Sequence, residues 1–234
     1  MIIKKINILG MENRRRENII SAVLCAFVFI AMLVCTIIGI IQGADKAQPG
    51  ASGMIGVNFF NAFTTLSNVY LGIACLLILF FNIRNIKNKT NTFPNWVMMV
   101  YFVSCAAVAL TMITTIVFLG PLYVAHGHNY FGLFKGKLFF FHFLNPTIAI
   151  INIMFFVRSK IFNWKHCFWC VLPTILYACV YSPMVLTHRW EDFYGFTFGG
   201  KTYMIPISLI VTIGASYLFG FLIALIHNRF AREN

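Results

Sequence analysis

The sequence predicts an all-α polytopic membrane protein, a single domain over residues 1–234 with six transmembrane helices and both termini cytoplasmic. Three observations carry this. Six long apolar stretches are separated by short loops; 60% of the residues are apolar and only 10% charged; and the basic residues fall mostly on alternate loops. A soluble domain needs about 25% charged residues to build a solvated surface, which this chain cannot supply.

The stretches run approximately from Ile19 to Ile41, Val57 to Phe81, Trp96 to Leu122, Leu138 to Phe156, Cys167 to Leu186 and Met204 to Ile226. At about 1.5 Å of rise per residue, each spans roughly 30 Å, the hydrocarbon thickness over which a helix must satisfy its own backbone. The first stretch follows a basic prelude, as the core of a signal peptide does, yet it is far longer than the roughly 7 to 15 apolar residues of such a core. It is read as a retained span. The second carries a polar strip, Asn61, Thr64, Thr65, Ser67 and Asn68, and the third carries Thr111, Thr114 and Thr115. The fourth holds His142, Asn145 and Pro146. The fifth opens with Cys167 and Cys170, half of a zinc site at most and more simply two small apolar side chains at a helix start. The sixth follows the loop HRWEDFYGFTFGGK, whose aromatics read as an interfacial belt or as a lid over a lipid-facing pocket.

Charge sets the orientation. Lys4, Lys5, Arg14, Arg15, Arg16, Arg84, Lys87, Lys89, Arg158, Lys160, Lys165, Arg229 and Arg232 fall on one side, thirteen in all. Lys46, Lys135, Lys137, Arg189 and Lys201, five in all, fall on the other, beside Asp45, Glu191 and Asp192. The richer side is cytoplasmic by the positive-inside rule. A net charge of +12 confined to membrane-flanking segments answers to anionic lipid and not to nucleic acid. The turn residues Gly43, Pro49, Gly50, Gly53 and Gly56 shape the first outer loop. The seven cysteines, none of them in an outer loop, form no disulfide framework.

Polar residues inside the apolar runs are where function is expected. Thr64, Ser67 and Asn68 are offset by three and four residues and share a helix face, while Thr65 points away. Polar contact between helices accounts for such a strip without any chemistry. His142 is the single histidine well inside an apolar stretch, and an ionisable side chain at that depth marks a functional site. It lies at about the depth of Thr64, in the outer half. Asn145 lies one turn from His142, and Pro146 removes a helical hydrogen bond nearby, exposing a backbone carbonyl.

A hydroxyl and an imidazole are the minimum for acyl transfer: Thr64 attacks while His142 takes its proton. No Asp or Glu lies in any apolar stretch, so an amide, hydroxyl or carbonyl must orient the imidazole. Asn68 and Asn145 are the candidates to do so, or to donate to an oxyanion, with Ser67 as a further supporting residue. No cofactor or metal is required.

Phe63-Thr64-Thr65-Leu66-Ser67-Asn68 and His142-Phe143-Leu144-Asn145-Pro146 resemble the family of androgen-induced protein 1 and the androgen-dependent TFPI-regulating protein, especially its bacterial Pr6Pr-type branch. The likeness covers helix count and loop order over nearly the whole chain, and its sequence-specific part is these two short segments. It implies a threonine hydrolase that cleaves fatty acid esters of hydroxy fatty acids, with Thr64 as nucleophile and His142 as base. Membrane lipids are then both substrate and solvent, and the bacterial cell membrane is the implied location. The segment Trp190-Glu191-Asp192-Phe193-Tyr194-Gly195-Phe196 lacks both prolines of the family's Trp-Tyr-Pro-Tyr-Pro-Phe-like stretch, so a different lid is expected. A more distant six-helix relative has cysteine in place of Thr64 and transfers acyl groups between phospholipids.

Three rival readings compete. A transporter or channel would run its path along Thr111, Thr114 and Thr115. A metal site would use His126 and His128 with His188 or Glu191. A non-catalytic scaffold would use Thr64 and His142 only as structural hydrogen-bonding groups.

Overall fold

The computed structural model describes residues 2–42, 56–157 and 161–232, with side chains from residue 12 onward in the first segment. Six helices are long and apolar enough to cross a membrane, and no strand occurs among the described residues. They are α1 (Ile2–Gln42), α2 (Phe63–Asn88), α3 (Asn95–Ala125), α4 (Gly136–Phe155), α5 (Trp164–Leu186) and α6 (Ile205–Arg232). The protein is an integral membrane protein of six spanning helices. Gly43, Asp45, Lys46, Pro49, Gly50, Gly53, Arg158 and Lys160 lie outside the described residues.

Helix ends depart from hydropathy ends for a physical reason. A hydropathy boundary marks where side chains stop being apolar, whereas a helix continues for as long as its backbone donors find acceptors. Near Val57 the chain forms a short 3-10 turn, Gly56–Asn61, and extended Ala62 (φ −83, ψ 133) separates it from α2. At its other end α2 runs past Phe81 to Asn88, because Asn82 and Asn85 are buried and bonded. Asn82 donates to Ser21 of α1 at 2.8 Å, and Asn85 accepts from the Thr90 hydroxyl at 2.9 Å. Helix α6 likewise passes Ile226, which places a second histidine inside the bundle. His227 is fully buried, with Nδ1 2.6 Å from the Ile153 carbonyl. The expectation that His142 stands alone at depth is therefore corrected.

Helix α3 is the axis of the bundle. Every residue from Tyr101 to Thr111 is buried, as a helix packed on all sides requires. Leu71, Ala74, Cys75 and Ile78 of α2 and Ala149 and Ile153 of α4 pack with it in the same core. Lipid is as apolar as these side chains, so close packing holds the helices together more than hydrophobic transfer does. Gly220 of α6 shows how close the approach is: a Cβ there would lie 2.6 Å from Cys170 Sγ. Cys167 and Cys170 are thus both buried, with the Cys170 thiol against α6.

Two π turns interrupt this regularity, Thr115–Leu119 in α3 and Phe140–Leu144 in α4. Each is followed by a residue and then a proline. Gly120 donates to Thr115 ahead of Pro121, and Asn145 donates to Phe140 ahead of Pro146. With i→i+5 bonding, the next acceptors are the carbonyls of Ile116 and Phe141, whose donors would be the prolines, and proline has no N–H. Both carbonyls are satisfied by side chains instead. The Tyr130 hydroxyl donates to Ile116 at 2.9 Å, and Asn68 Nδ2 donates to Phe141 at 3.0 Å.

Candidate active site

Thr64 sits in the first turn of α2 and His142 inside the π turn of α4. Both line one cavity of about 600 Å³ at the end of the bundle away from the chain termini. Phe118, Leu119 and Leu122 of α3, with Leu138 and Phe141 of α4, supply apolar wall. Residues 191–199 close over it. Thr64 is 9% exposed and His142 2% exposed. No hydrogen bond joins them directly; they line the shared cavity from separate helices.

The imidazole is held from one side. His142 Nδ1 lies 2.7 Å from the Leu133 carbonyl, on the 3-10 turn Tyr130–Phe134. A carbonyl only accepts, so Nδ1 carries the proton and a neutral ring keeps its lone pair on Nε2. This is the tautomer a general base needs, fixed by a backbone oxygen where an aspartate serves in serine hydrolases.

The asparagines take a different role from the one expected of orienting groups. Asn68 Nδ2 donates to the Thr64 carbonyl at 2.8 Å and to Phe141, and Asn145 Nδ2 donates to Asn68 Oδ1 at 3.3 Å. The bonds to Phe141 and between the two amides fix α2 against α4, and neither asparagine bonds the histidine. Ser67 bonds the Thr64 carbonyl at 3.1 Å and Thr111 at 3.0 Å, tying α2 to α3. Thr65, expected off the shared face except where it borders Asn61 or Asn68, is buried and also lines the cavity.

Residues 187–201, which the sequence left open between an interfacial belt and a lid, contribute groups to the cavity wall. The Thr64 N–H donates to the Tyr194 phenol oxygen at 3.3 Å. Burial pushes the Tyr194 phenol up from its ordinary range, against the opposing pull of the Thr64 donors, so it remains protonated at neutral pH. Asp192 holds the segment in shape. It accepts from the Tyr181 hydroxyl at 2.8 Å, the Phe196 N–H at 2.9 Å, and the Thr197 N–H and hydroxyl at 2.6 Å each. The usable signal was an aspartate followed at five residues by threonine, in a loop with three glycines, a composition that favours side-chain-to-backbone capping.

A smaller void of about 40 Å³ adjoins the cavity behind Thr64, lined by Thr114, Thr115, Thr174 and Thr212 among others. The hydroxyl of Thr115 bonds the Thr111 carbonyl, that of Thr174 bonds Ser216, and that of Thr212 bonds the Ser208 carbonyl. Toward the termini the threonines give way to the apolar core of α2 and α3. Of the loop histidines, His126 is exposed with Nδ1 2.8 Å from the Leu122 carbonyl, and His128 packs on Tyr123. No three His, Cys, Asp or Glu side chains gather as metal ligands among the described residues.

The fold and site define a six-helix integral membrane protein with a threonine and a tautomer-fixed histidine on a common, mostly apolar cavity. No family model matches the chain, and no curated protein or solved structure matches it.

Proposed function

We propose that this protein is an intramembrane threonine hydrolase of long-chain lipid esters, of which fatty acid esters of hydroxy fatty acids are the representative class. The observation that carries the reading is the shared cavity of Thr64 and His142, with His142 Nδ1 committed to the Leu133 carbonyl and Nε2 left to accept a proton. The absence of a direct bond between the two is compatible with this role, since catalytic contacts commonly tighten only around substrate.

The chemistry follows in two halves. Thr64 Oγ attacks the ester carbonyl carbon as its proton passes to His142 Nε2. The tetrahedral species collapses, the bond to the leaving alkoxide breaks, and His142 returns the proton to give the free alcohol. Water then attacks the acyl-threonine; His142 takes a proton from it, and the acid departs as Thr64 Oγ is reprotonated. Membrane lipids supply the substrate. No cofactor enters, and transfer to a second lipid alcohol in place of water would use the same intermediate.

Several features favour this reading over a conduit. The polar lining of the cavity on α2 and α4 is Thr64, Thr65 and His142; beyond it Ser67 bonds Thr111, and the buried side chains of α2 and α3 that follow are mostly apolar, which supports a pocket over a continuous polar path. Its walls suit acyl chains. The charge pattern supports a topology with both termini in the cytoplasm and the cavity in the outer half of a cell membrane, and the resemblance of the Thr64 and His142 segments supports a bacterial one.

The test is covalent. A long-chain fluorophosphonate should label the purified protein, and peptide mass spectrometry should place the adduct on Thr64, not on neighbouring Thr65. Thr64→Ala should abolish both labelling and ester hydrolysis, whereas Thr64→Ser should keep part of each. Full hydrolysis by Thr64→Ala would overturn the assignment.

A further inference from the structure

Resting on the hydrolase reading, we infer that Tyr194 is a third catalytic residue, whose phenol O–H donates to the ester oxygen as it becomes an oxyanion, and that Asp192 and Tyr181 are the positioning residues that hold it there. Three observations support this. The first is place. The Tyr194 oxygen is 3.3 Å from the Thr64 N–H, on the nucleophile's own backbone, and Tyr194 lines both the main cavity and the void behind the threonine. Any carbon that becomes bonded to Thr64 Oγ carries its oxyanion into this neighbourhood.

The second is donor arithmetic. Several side-chain donors near the nucleophile are engaged elsewhere: Asn68 Nδ2 on two carbonyls, Asn145 Nδ2 on Asn68, the Tyr177 hydroxyl on the Asn61 carbonyl at 2.8 Å. The N–H groups of Thr65 and Leu66 both donate to the Ala62 carbonyl. Tyr194 differs. Its oxygen accepts from the Thr64 N–H, which leaves its own proton to be given, and a phenol has one to give. The Thr64 N–H then stabilises the negative charge that the phenol oxygen gains by donating. Between turnovers the same O–H can rest on Thr64 Oγ, occupying an acceptor site and turning the threonine proton toward the cavity that His142 lines.

The third is support. The Tyr194 N–H donates to the Tyr181 hydroxyl oxygen at 3.1 Å, and the Tyr181 hydroxyl donates to Asp192 at 2.8 Å. Tyr181 is completely buried, and the Tyr177 and Tyr181 rings stack at 5.4 Å between centroids beneath Tyr194. A donor aimed at a developing charge accelerates reaction only if it is fixed beforehand, and this chain of bonds fixes it. The donation transfers no proton, so the balance of the hydrolysis is unchanged.

Tyr194→Phe removes one oxygen and keeps the ring packing. The expected result is a fall in kcat on the order of 10²-fold with KM within about twofold. Binding gives a readout that a structural role would not move. A long-chain trifluoromethyl ketone, which forms a tetrahedral adduct with the nucleophile, should bind Tyr194→Phe about 100-fold more weakly, while a non-hydrolysable ether analogue of the ester should bind as before. Asp192→Asn should shift kcat in the same direction by less, again with KM held. Thermal unfolding of each variant checks folding; should Tyr194→Phe not fold, the inference is judged on Asp192→Asn and on the two ligands. Equal weakening of both ligands, or kcat within twofold of wild type, would overturn the inference while labelling of wild-type Thr64 left the hydrolase reading standing. Failure of the wild-type protein to label or hydrolyse would sink both.

Discussion

At the scale of single residues, the site is organised by what each polar atom is already bonded to. His142 has one nitrogen committed and one facing the cavity, and the committed partner is a main-chain oxygen that no substitution can remove. The side chain can be changed, and the expected outcome is specific. His142→Ala and His142→Gln should each lower ester turnover on the order of 10²-fold or more, because neither supplies a base, in protein that remains membrane-inserted and folded. Steady-state hydrolysis in detergent or liposomes, read beside a thermal melt, checks this; turnover within tenfold of wild type in either variant would remove His142 from the chemistry. Thr64 and His142 were legible in the sequence because polar groups stand out against an apolar background. The Leu133 carbonyl was not, since a main-chain oxygen carries no residue-type signature, and Tyr194 was not, since a tyrosine near a helix end reads equally well as an interfacial anchor.

At the scale of elements, the two π turns place Phe118 and Leu119 on one wall of the cavity and Phe141 and His142 on another. Pro146 matters through what it withholds: with no N–H, it leaves the Phe141 carbonyl to Asn68 of a different helix. A double-mutant cycle isolates this coupling. Asn68→Leu alone should destabilise the protein by about 1 kcal/mol, the scale of a hydrogen bond inside a membrane bundle. In a Pro146→Ala background the restored N–H can serve the same carbonyl, so Asn68→Leu should cost markedly less. Reversible unfolding in mixed micelles measures both, and equal costs in the two backgrounds would mean that the proline and the asparagine are independent. The six spans were readable because lipid demands long apolar helices. Their ends and π turns were not, being set by donors and acceptors, although a proline in mid-span marks where an acceptor goes unclaimed.

At the scale of the whole molecule, the thirteen basic residues of one side against five of the other make orientation testable with thiol chemistry. Six native cysteines are buried and Cys179 is exposed, so a Cys179→Ala background gives a quiet reference. A cysteine at Lys87, exposed in the last turn of α2, should react with an impermeant maleimide only after the membrane is opened. Labelling of intact cells at that position would invert the molecule and put the cavity in the opposite leaflet. A lid from residues 187–201 was one of two readings the sequence allowed, but the bonds by which the loop folds were hidden, because a loop's contacts depend on which helices end beside it.

The Asp192 carboxylate also fixes how this end of the molecule opens in time. It binds the Phe196 and Thr197 amides directly, the Gly200 amide through the Thr197 hydroxyl, and the Tyr194 amide through Tyr181. Four amides spread over seven residues therefore share one anchor, and none is released for long unless the anchor lets go. In deuterium exchange they should behave as a single cooperative unit with one common opening rate. Asp192→Ala should accelerate all four together, whereas four unrelated rates in the wild-type protein would show that the segment loosens piecemeal.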